Sequence, residues 1–590
     1  MTAQSYYYRN YTASLVNLKN SVRKSSQSHS SSFATAAANC IDFKNEIGTT
    51  DDDPKVNEEI DLKCVRMASD GKGLCELPSG IICMVTGATI GEVAKVRITD
   101  KKSSVMFGVK VGIKQRSEFY QKPICEHFGT CGGCTWMDVK YEQQLKLKRL
   151  MVVEAFGKNG RLGSDLAEKL VSETVGMYMN STSMTSNREN LPPPMRFRNK
   201  MTFAFGVDNS IEKGGSKIGL RPPNSNDVVV DVSTPNGCYL QSEDANEALK
   251  VIQKSLRKAG KSLPPFDRRF GSGTLRSATI RENTNGEIDV EFESTSRESA
   301  VKTGPLAELM KETAEVKNVK SVTHVQIDRV ANLKSSGRGR NQSSVKNGSK
   351  PPASNRKVKT SLYSDEDSNN NWEVELCGLK FRAKPESFFQ TNAKQAEVLV
   401  NAAVDALRPI FINNDDNNKE EEKQKIVLDL FSGVGVFALA CAKELPSNVK
   451  VIGYEIVKEA VEDANENINL NAIDPKRCEF YVKDLTEKGS LEGLNFVKEV
   501  DAIIVDPARA GCSREILHEI RKLNPKRIVY VSCNPGTQAR DASILNGNED
   551  NDNDDDVDEK LPTYKPVSIV PVDMFPHSLH VETIAIFDRI

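Results

Sequence analysis

The sequence predicts an α/β protein in which a small β-barrel and a central α+β domain precede a Rossmann-like domain. Short β-rich runs separated by Gly, Ser and Asp turns fill the segment from Leu62 to Lys114, as in barrels of the oligonucleotide-binding kind. From residue 386 onward, strand-like and helix-like segments alternate, which is typical of a parallel, doubly wound sheet. With 590 residues, the chain is long enough for roughly two or three domains.

Composition restricts the class of protein. The 80 basic and 81 acidic residues give a formal charge of −1, so net charge provides no argument for binding nucleic acid. No apolar stretch approaches the roughly 18 to 20 residues that span a bilayer, and we therefore expect no membrane partner. The 13 cysteines are odd in number and mostly isolated in apolar segments, which argues against a disulfide-stabilised secreted protein.

The amino-terminal segment has the composition of an organellar transit peptide. The first 41 residues contain no Asp or Glu but include nine serines together with Arg9, Lys19, Arg23 and Lys24. We therefore expect a transit or disordered segment over residues 1–54 and a location in a plastid or mitochondrion. A merely disordered, Ser-rich tail on a cytoplasmic or nuclear protein is the alternative.

Low-complexity segments interrupt the predicted domains, and we expect each to be disordered because none has the apolar spacing of a packed element. Three are acidic or Asn-rich and cover residues 51–61, 413–424 and 546–560. The fourth is a basic loop over 334–371, with eight Lys or Arg and no acid between Lys334 and Lys359. The predicted domains are the barrel at 55–115, the central domain at 116–385 and the Rossmann-like domain at 386–590.

Acidic residues follow several strands of the predicted Rossmann-like sheet. A glycine-rich turn, Asp429–Gly435, comes after the first strand, and Glu455, Asp484 and Asp506 end the next three. Ligands of such sheets bind beyond the carboxyl ends of the strands. The turn lacks the full dinucleotide fingerprint, and an ordinary tight turn is its alternative reading. Carboxylates without a pyrophosphate-binding lysine suit a nucleoside cofactor without phosphates, and S-adenosylmethionine fits this description.

Four cysteines upstream have the spacing of a metal site. Cys125, Cys131 and Cys134 share the Gly-rich segment CEHFGTCGGC, and Cys238 follows in GCYLQ. Four thiolates can hold a structural zinc ion or an iron–sulfur cluster, and spacing alone does not decide between them. Three buried free cysteines that happen to lie close together are the other reading.

Two residues near the end of the chain suggest covalent chemistry. Cys533 ends the predicted strand RIVYVSC, and a thiol there becomes a nucleophile only in an electropositive environment. The helix that begins near Gly536, with Arg540 in its first turns, is predicted to supply that environment. Glu582 lies on the final hairpin close to where Cys533 should emerge, as a candidate general base. A structural cysteine and an exposed edge glutamate are the alternatives.

Together these motifs resemble the RNA uracil-5-methyltransferase family, which forms 5-methyluridine in transfer and ribosomal RNA. The resemblance covers nearly all of residues 60–590, and the barrel looks like a TRAM domain. It is carried by CEHFGTCGGC with Cys238, FRNK (197–200), SFFQTN (387–392), DLFSGVG (429–435), DPARAG (506–511), SCNPGT (532–537) and PHSLHVET (576–583). The resemblance implies a class I S-adenosylmethionine-dependent enzyme and favours a [4Fe-4S] cluster over zinc at the four cysteines.

The resemblance also implies a role for each site residue. Cys533 would add to C6 of uracil, Glu582 would remove the C5 proton, and Gln390 and Arg509 would hold the uracil carbonyls. The positions implied to contact the cofactor are Gln390, Phe431, Gly433, Gly435, Glu455, Asp484 and Asp506. The basic side chains expected to contact RNA phosphates are Arg196, Arg198 and Lys200.

Two other functions compete with this one. A cytosine C5 RNA methyltransferase would use the same thiolate addition, although the order of SCNP and HVE argues against it. A non-catalytic, RNA-binding iron–sulfur protein is the second alternative, and the intact Cys533, Glu582, Asp506 and Gln390 weigh against it. We expect a monomer that acts on transfer or ribosomal RNA, and the sequence does not choose between these RNAs.

Overall fold

The fold is taken from a computed structural model, which describes residues 53–590 with internal gaps. The gaps are 69–70, 78, 178–193, 211–214, 224, 226, 268–269, 298–299, 301, 328–357, 365–371, 384–386, 412–423, 493–499 and 549–560. The predicted transit segment, most of the basic loop and most of the two later acidic insertions therefore lie outside the described residues.

The first compact unit is a closed five-stranded barrel with the strand order β1-β2-β3-β5-β4. Its strands are β1 (Glu59–Met67), β2 (Gly73–Glu76), β3 (Ile82–Thr86), β4 (Val93–Lys101) and β5 (Val105–Gln115). Alternate residues such as Leu62 and Cys64 fill the interior, as the period of a strand requires. The barrel confirms the predicted fold of this segment, and its four-residue strand β2 is one that the sequence did not reveal.

The acidic stretch 51–61 is not wholly disordered, which corrects our expectation. Its last three residues, Glu59–Asp61, begin β1 and pair with β4. Glu59 Oε1 accepts a hydrogen bond from Arg97 Nη2 at 2.7 Å on the outer face of the barrel. An acidic residue fits a strand when its side chain faces solvent and a cation lies opposite it.

The second compact unit begins with two helices and a seven-stranded sheet of order β12-β11-β10-β9-β6-β7-β8. In chain order the elements are α1 (Tyr141–Lys158), α2 (Ser164–Leu170), β6 (Lys200–Asp208), β7 (Gly215–Leu220), β8 (Val230–Asp231), α3 (Glu243–Ala259), β9 (Leu275–Glu282), β10 (Ile288–Ser294), α4 (Pro305–Ala314), β11 (Val319–Gln326) and β12 (Val358–Ser364). The predicted basic loop 334–371 therefore contains a strand. Its sequence VKTSLYS suits a strand, and its backbone pairs with the edge of β11.

The same unit continues into a hairpin and the Rossmann-like sheet. The elements are β13 (Trp372–Leu376), β14 (Leu379–Ala383), α5 (Ala393–Phe411), β15 (Lys425–Leu430), α6 (Val436–Glu444), β16 (Val449–Glu455), α7 (Lys458–Leu470), β17 (Cys478–Val482), β18 (Ala502–Val505), α8 (Arg514–Lys522), β19 (Arg527–Ser532), α9 (Pro535–Leu545), β20 (Tyr564–Val572) and β21 (Glu582–Arg589). The predicted insertion 546–560 starts too early, because Asn546 and Asn548 still donate backbone hydrogen bonds to the last turns of α9.

The strand order of this sheet, β17-β16-β15-β18-β19-β21-β20, fixes where a ligand can bind. The first five strands are parallel, and β21 runs antiparallel between β19 and β20. The strands that follow β15 in the chain lie first on one side of it, as β16 and β17, and then on the other side, as β18 and β19. This reversal of strand order opens a crevice at the carboxyl ends of β15 and β18. The predicted α/β class and the doubly wound sheet are confirmed. Within the described residues, no helix has the length and apolar composition that crossing a membrane requires.

Candidate active site

Cys533 lies at the carboxyl edge of the sheet, directly after β19 and before α9. Asn534 caps α9, since its Oδ1 accepts from Gly536 N at 3.1 Å. Its Nδ2 also donates to the carbonyl of Arg509 at 3.1 Å, so one asparagine ties the cysteine turn to the loop after β18. The thiol borders a cavity of about 400 Å³ whose wall includes Arg509 and His580. This volume is within the range of small-molecule sites.

Glu582 is the first residue of β21 and lies close to Cys533, which follows β19. Ser532 and Thr583 form the end pair of the antiparallel ladder between β19 and β21, and Cys533 and Glu582 are the residues next to that pair. The charge of Glu582 raises the pKa of the Cys533 thiol, so the two side chains lie within electrostatic reach of each other. The structure therefore brings together the two residues that the sequence predicted as nucleophile and base.

The surroundings favour the protonated forms of Glu582, Cys533 and Asp506. Burial, and next the charge of Asp506, raise the pKa of Glu582 to about 8, while Arg509 opposes the rise. Burial, and next the charge of Glu582, raise the pKa of the Cys533 thiol, and Arg509 again acts in the opposite direction. Burial alone raises the pKa of Asp506 to about 7. Thus three acids and one cation share this end of the sheet.

The cation beside Cys533 is Arg509 and not Arg540, which corrects the sequence prediction. The Arg540 guanidinium forms an ion pair with the buried carboxylate of Asp541 and donates to the carbonyls of Ala510 and Cys512. These partners hold the guanidinium against the loop that follows β18, and Arg540 does not line the cavity around Cys533. Arg509 is the group whose charge and hydrogen bond lower the pKa of Cys533.

The glycine-rich turn surrounds an open space at the end of β15. Phe431, Gly433 and Gly435 have φ of 64°, 53° and 87°, a region in which glycine is strongly favoured. A Cβ added at Gly433 would meet no atom within 4 Å, whereas one at Gly435 would lie 2.5 Å from Phe480 Cζ. Glu455 Oε2 accepts from Gly433 N at 3.0 Å and holds this turn against the end of β16.

Asp429 is a candidate site residue that the sequence reasoning did not single out. It is fully buried in β15, and its Oδ2 accepts from Ala438 N at 3.0 Å, which fixes the first turn of α6. Burial, and next the charge of Asp506, raise the pKa of Asp429 well above its usual range. Its position as the first letter of DLFSGVG was a usable signal. The Oγ of the adjacent Ser432 is buried without a hydrogen-bond partner among the described residues.

Asp484 and Gln390 are two further residues predicted to contact the cofactor, and each forms a hydrogen bond within the protein. Asp484 follows β17 at the same edge, and its Oδ1 accepts from Thr486 N at 2.8 Å on the surface. Gln390 lies between the hairpin and α5, and its carbonyl accepts from Asn199 Nδ2 at 3.4 Å. Gln390 does not line the cavity around Cys533.

The four predicted ligand cysteines line one cavity in the central part of the unit. Gly133 N donates to Cys131 Sγ at 3.3 Å, a backbone contact of the kind that tunes iron–sulfur clusters. Burial, followed by the neighbouring thiols of Cys238, Cys131 and Cys125, raises the pKa of Cys134. The four thiols are therefore within electrostatic reach of one another. Among the described residues, no group of three or more His, Cys, Asp or Glu side chains is arranged to hold a metal ion, so the structure does not support a metal site at these cysteines.

Two of the basic residues predicted to bind RNA phosphates have structural partners. Arg196 Nη1 donates to the carbonyls of Cys238 and Gln241 at 3.2 and 2.9 Å. The Arg198 guanidinium lies 5.9 Å from the centre of the Phe575 ring. These contacts brace the loop that carries Cys238, and we no longer assign Arg196 a phosphate contact.

Helix α1 forms the far wall of the Cys533 cavity, which the sequence did not predict. Met151, Glu154, Ala155 and Lys158 come from this helix. An ion pair also joins α1 to the segment that follows β20. The fully buried ammonium of Lys148 lies 2.5 Å from the equally buried carboxylate of Asp573. No local sequence signal connects residues so far apart in the chain.

Comparison with known proteins agrees with this geometry. The model of a family described as tRNA (uracil-5-)-methyltransferase matches residues 353–549. An uncharacterised RNA methyltransferase of Caldanaerobacter subterraneus subsp. tengcongensis is 29% identical over 540 residues, which cover 91% of this chain and 99% of that protein. One from Porphyromonas gingivalis is 28% identical over 531 residues, covering 90% of this chain and 99% of its own.

A solved structure shares the fold over most of the chain. It is the Pyrococcus abyssi tRNA (uracil-54, C5)-methyltransferase in complex with S-adenosyl-L-homocysteine. It covers 90% of this chain and 100% of its own, with a TM-score of 0.55 and 22% sequence identity. The chain is thus similar to a tRNA (uracil-5-)-methyltransferase family over residues 353–549 and to RNA methyltransferases over most of its length, and it shares the fold of this solved structure.

Proposed function

We propose that this protein transfers a methyl group from S-adenosylmethionine to C5 of a uridine in RNA through a covalent bond between Cys533 and C6. The observation that carries the proposal is the proximity of Cys533 and Glu582 at the end of the β19–β21 ladder, beside Arg509. A nucleophile, a base and a cation at one strand end are what thiolate addition to a uracil ring requires.

The chemistry assigns each side chain one task. C5 of uracil is a weak nucleophile, so the Cys533 thiolate first forms a bond to C6, and the C5=C6 electron pair moves to the O4 enolate. Arg509 favours the thiolate and lies where a positive charge can balance the enolate. C5 then bonds the methyl group, whose bond to the sulfonium sulfur breaks to leave S-adenosylhomocysteine. Glu582 takes the C5 proton, the C5=C6 bond re-forms, and the Cys533–C6 bond breaks.

The carboxyl edge of the sheet suits the nucleoside cofactor. S-adenosylmethionine supplies the methyl group when it is bound. Glu455 would accept hydrogen bonds from ribose hydroxyls, and the space above Gly433 leaves room for a ligand. Ser432 Oγ is a buried hydroxyl without a hydrogen-bond partner in the part of the chain that the structure describes. Contacts from Phe431, Asp484 and Gln390 remain predictions from the family resemblance.

We also propose that Cys125, Cys131, Cys134 and Cys238 hold a [4Fe-4S] cluster. Their shared cavity and the amide of Gly133 aimed at Cys131 Sγ suit a bulky cluster with backbone contacts. An anaerobic preparation is expected to be brown and to contain iron and sulfide in equal amounts. A colourless protein with one zinc per chain would reverse this assignment.

The substrate and location are proposals as well. The description of the matching family and the name of the Pyrococcus abyssi protein both concern transfer RNA, so we propose transfer RNA as the substrate, with ribosomal RNA as the alternative. The composition of residues 1–54 supports a plastid or mitochondrial location. Mapping 5-methyluridine separately in organellar and cytoplasmic RNA would show whether the substrate is transfer or ribosomal RNA and in which compartment it is methylated.

The deciding experiment compares RNA from cells with and without this protein. Nucleoside mass spectrometry and site mapping are expected to show the loss of 5-methyluridine at one position. Unchanged 5-methyluridine at every site would refute the proposal, and loss of 5-methylcytidine in its place would favour the cytosine alternative.

The nucleophile can be tested directly. Purified protein is expected to form a covalent adduct with RNA that contains 5-fluorouridine, because fluorine at C5 cannot leave as a proton does. Cys533→Ala should abolish the adduct and lower turnover by at least about 1,000-fold. Cys377→Ala, a change at another half-buried cysteine, is the matched control and should behave as wild type. An adduct that survives Cys533→Ala would mean that another group attacks C6.

A further inference from the structure

A second groove adjoins the cavity that holds Cys533. The residues lining it are Lys158, Asn159, Arg161, Asn534, Gly536, Thr537, Arg540 and Ser543. Lys158 and Asn159 on one side, with Asn534 and Gly536 on the other, also line the Cys533 cavity. Asn159 Nδ2 donates to Gly536 O at 3.4 Å between them. The two spaces therefore share a wall, formed by the end of α1 and the start of α9.

Among the described residues, the charged side chains that line this groove are all cations. Lys158 pairs with Glu154 at 3.4 Å, but the two side chains are 73% and 41% exposed, so this pair neutralises the lysine weakly. The charge of Arg540 is balanced by Asp541. Lys158 and Arg161 are therefore the main source of positive potential, and the rest of the wall offers amide and hydroxyl donors.

The backbone at Arg161 gives independent support. Its φ of 54° lies in the left-handed region, which costs an arginine on the order of 1 kcal/mol more than a glycine. Its Nη1 donates to Asn548 O at 3.1 Å, so the side chain is held between the end of α1 and the end of α9. A strained position that nevertheless carries a long cationic side chain suggests that the cation itself is used.

We infer that this groove binds the phosphates of the RNA backbone next to the target uridine. The inference rests on the proposed function. A nucleotide turned out of its stack stays attached through its two flanking phosphates, so the backbone must leave the cavity along a neighbouring surface. Lysine, arginine, amide and hydroxyl donors are the groups that contact phosphate oxygens and position an RNA without reading its bases. The groove offers this set along the wall that it shares with the cavity.

The test removes the two cations and follows the salt dependence of binding. The variant is Lys158→Gln with Arg161→Gln, and the control is Lys522→Gln with Lys526→Gln, which changes the net charge equally. Lys526 precedes β19, so the control pair lies at the edge of the sheet opposite Cys533. Both controls are exposed and form surface ion pairs, with Glu492 and Asp501.

Fluorescence anisotropy with a labelled transfer RNA transcript gives the slope of log binding constant against log salt. Each lost contact with a single-stranded phosphate reduces this slope by about 0.7, so the groove variant should lose about 1.4 and the control nothing. Binding of S-adenosylhomocysteine, measured by calorimetry, should be the same in all three proteins. If the double variant fails to fold, Lys158→Gln alone should lower the slope by about 0.7.

The outcomes separate the groove from the proposed function. Equal slopes for the groove variant and the control overturn the groove, even if wild type methylates uridine. A reduced slope for the groove variant, in a protein that methylates no RNA, leaves the groove standing and overturns the proposed function. A slope that falls as much in the control as in the groove variant would mean that binding follows total charge, and this too overturns the inference.

Discussion

Glu582, the proposed base, is buried at the end of the sheet, where the protonated form of its carboxyl is favoured at neutral pH. Its pKa of about 8 exceeds the ordinary value of 4.5 because the carboxyl is buried and lies near Asp506. A base with a higher pKa takes a proton from carbon more readily once it is ionised. Single-turnover release of methylated RNA from the Cys533 adduct is therefore expected to speed up as the pH rises through about 8, measured by rapid quench at saturating RNA. A rate that is flat across this range would contradict the assignment.

Replacing Glu582 by glutamine should separate the two covalent steps. Cys533 can still add to C6 and C5 can still accept the methyl group, but the C5 proton has no acceptor. We expect Glu582→Gln to accumulate a methylated protein–RNA adduct that resists denaturation and is visible as a shifted band in gels. Rapid release of 5-methyluridine by this variant would assign the base to another group.

The same substitution should stabilise the fold at alkaline pH. Glu582 has a raised pKa in the folded state, so between pH 4.5 and about 8 the folded protein keeps a proton that the unfolded chain loses. The free energy of unfolding therefore decreases as the pH rises through this window. Glu582→Gln removes that dependence, and its thermal midpoint should exceed that of wild type above pH 8 and match it near pH 4.5. The opposite order would mean that the carboxylate is stabilised by a partner.

At the scale of elements, α1 and the segment that leads into β21 are joined by one buried polar cluster. Lys148 Nζ bonds Asp573 Oδ1 at 2.5 Å and Phe575 O at 3.0 Å, and Tyr141 Oη donates to Asp573 Oδ2 at 2.7 Å. Removing one partner of a buried pair leaves an uncompensated charge. Lys148→Met is expected to lower the free energy of unfolding by about 3–5 kcal/mol, measured by urea denaturation.

The double change Lys148→Met with Asp573→Asn provides the control for this prediction. Asparagine keeps an acceptor for Tyr141 Oη and leaves no charge buried, so most of the lost stability should return. Because the segment after Asp573 carries His580 and Glu582, turnover should recover with stability. If the double variant is as unstable as the single one, the pair is held by contacts other than its charges.

The elements were largely predictable from the sequence, whereas the partners of individual side chains were not. The strands of the Rossmann-like domain could be predicted because apolar runs alternate with helical periodicity, and this also placed Cys533 and Glu582 at neighbouring strand ends. Strand β2 was missed because four residues carry too short a pattern. We predicted that Arg540 would lie beside Cys533, whereas its guanidinium forms an ion pair with Asp541. The sequence does not reveal this ion pair, because packing sets the directions of the two side chains.

For the whole molecule, the described site residues all belong to the second compact unit. A chain that begins at Phe119 is therefore expected to bind S-adenosylhomocysteine with the affinity of the full-length protein, measured by calorimetry. Loss of binding would show that the barrel is needed to keep the Rossmann-like domain folded. The formal charge of −1 does not conflict with RNA binding, because local cations such as Lys158 and Arg161 would contact the RNA. The net charge of the chain contributes nothing to that contact.

Strand β21, which carries Glu582, lies between β19 and β20 in the sheet although residues 549–560 separate it from β19 in the chain. The proposed nucleophile and base are contributed by stretches of chain on either side of residues 549–560, and the backbone ladder between β19 and β21 brings them together. If the chain were divided within 549–560, neither fragment would hold both groups. Methylation would then return only when the carboxyl-terminal fragment inserts its last strand into the sheet of the other, and enzyme turnover would report fragment complementation.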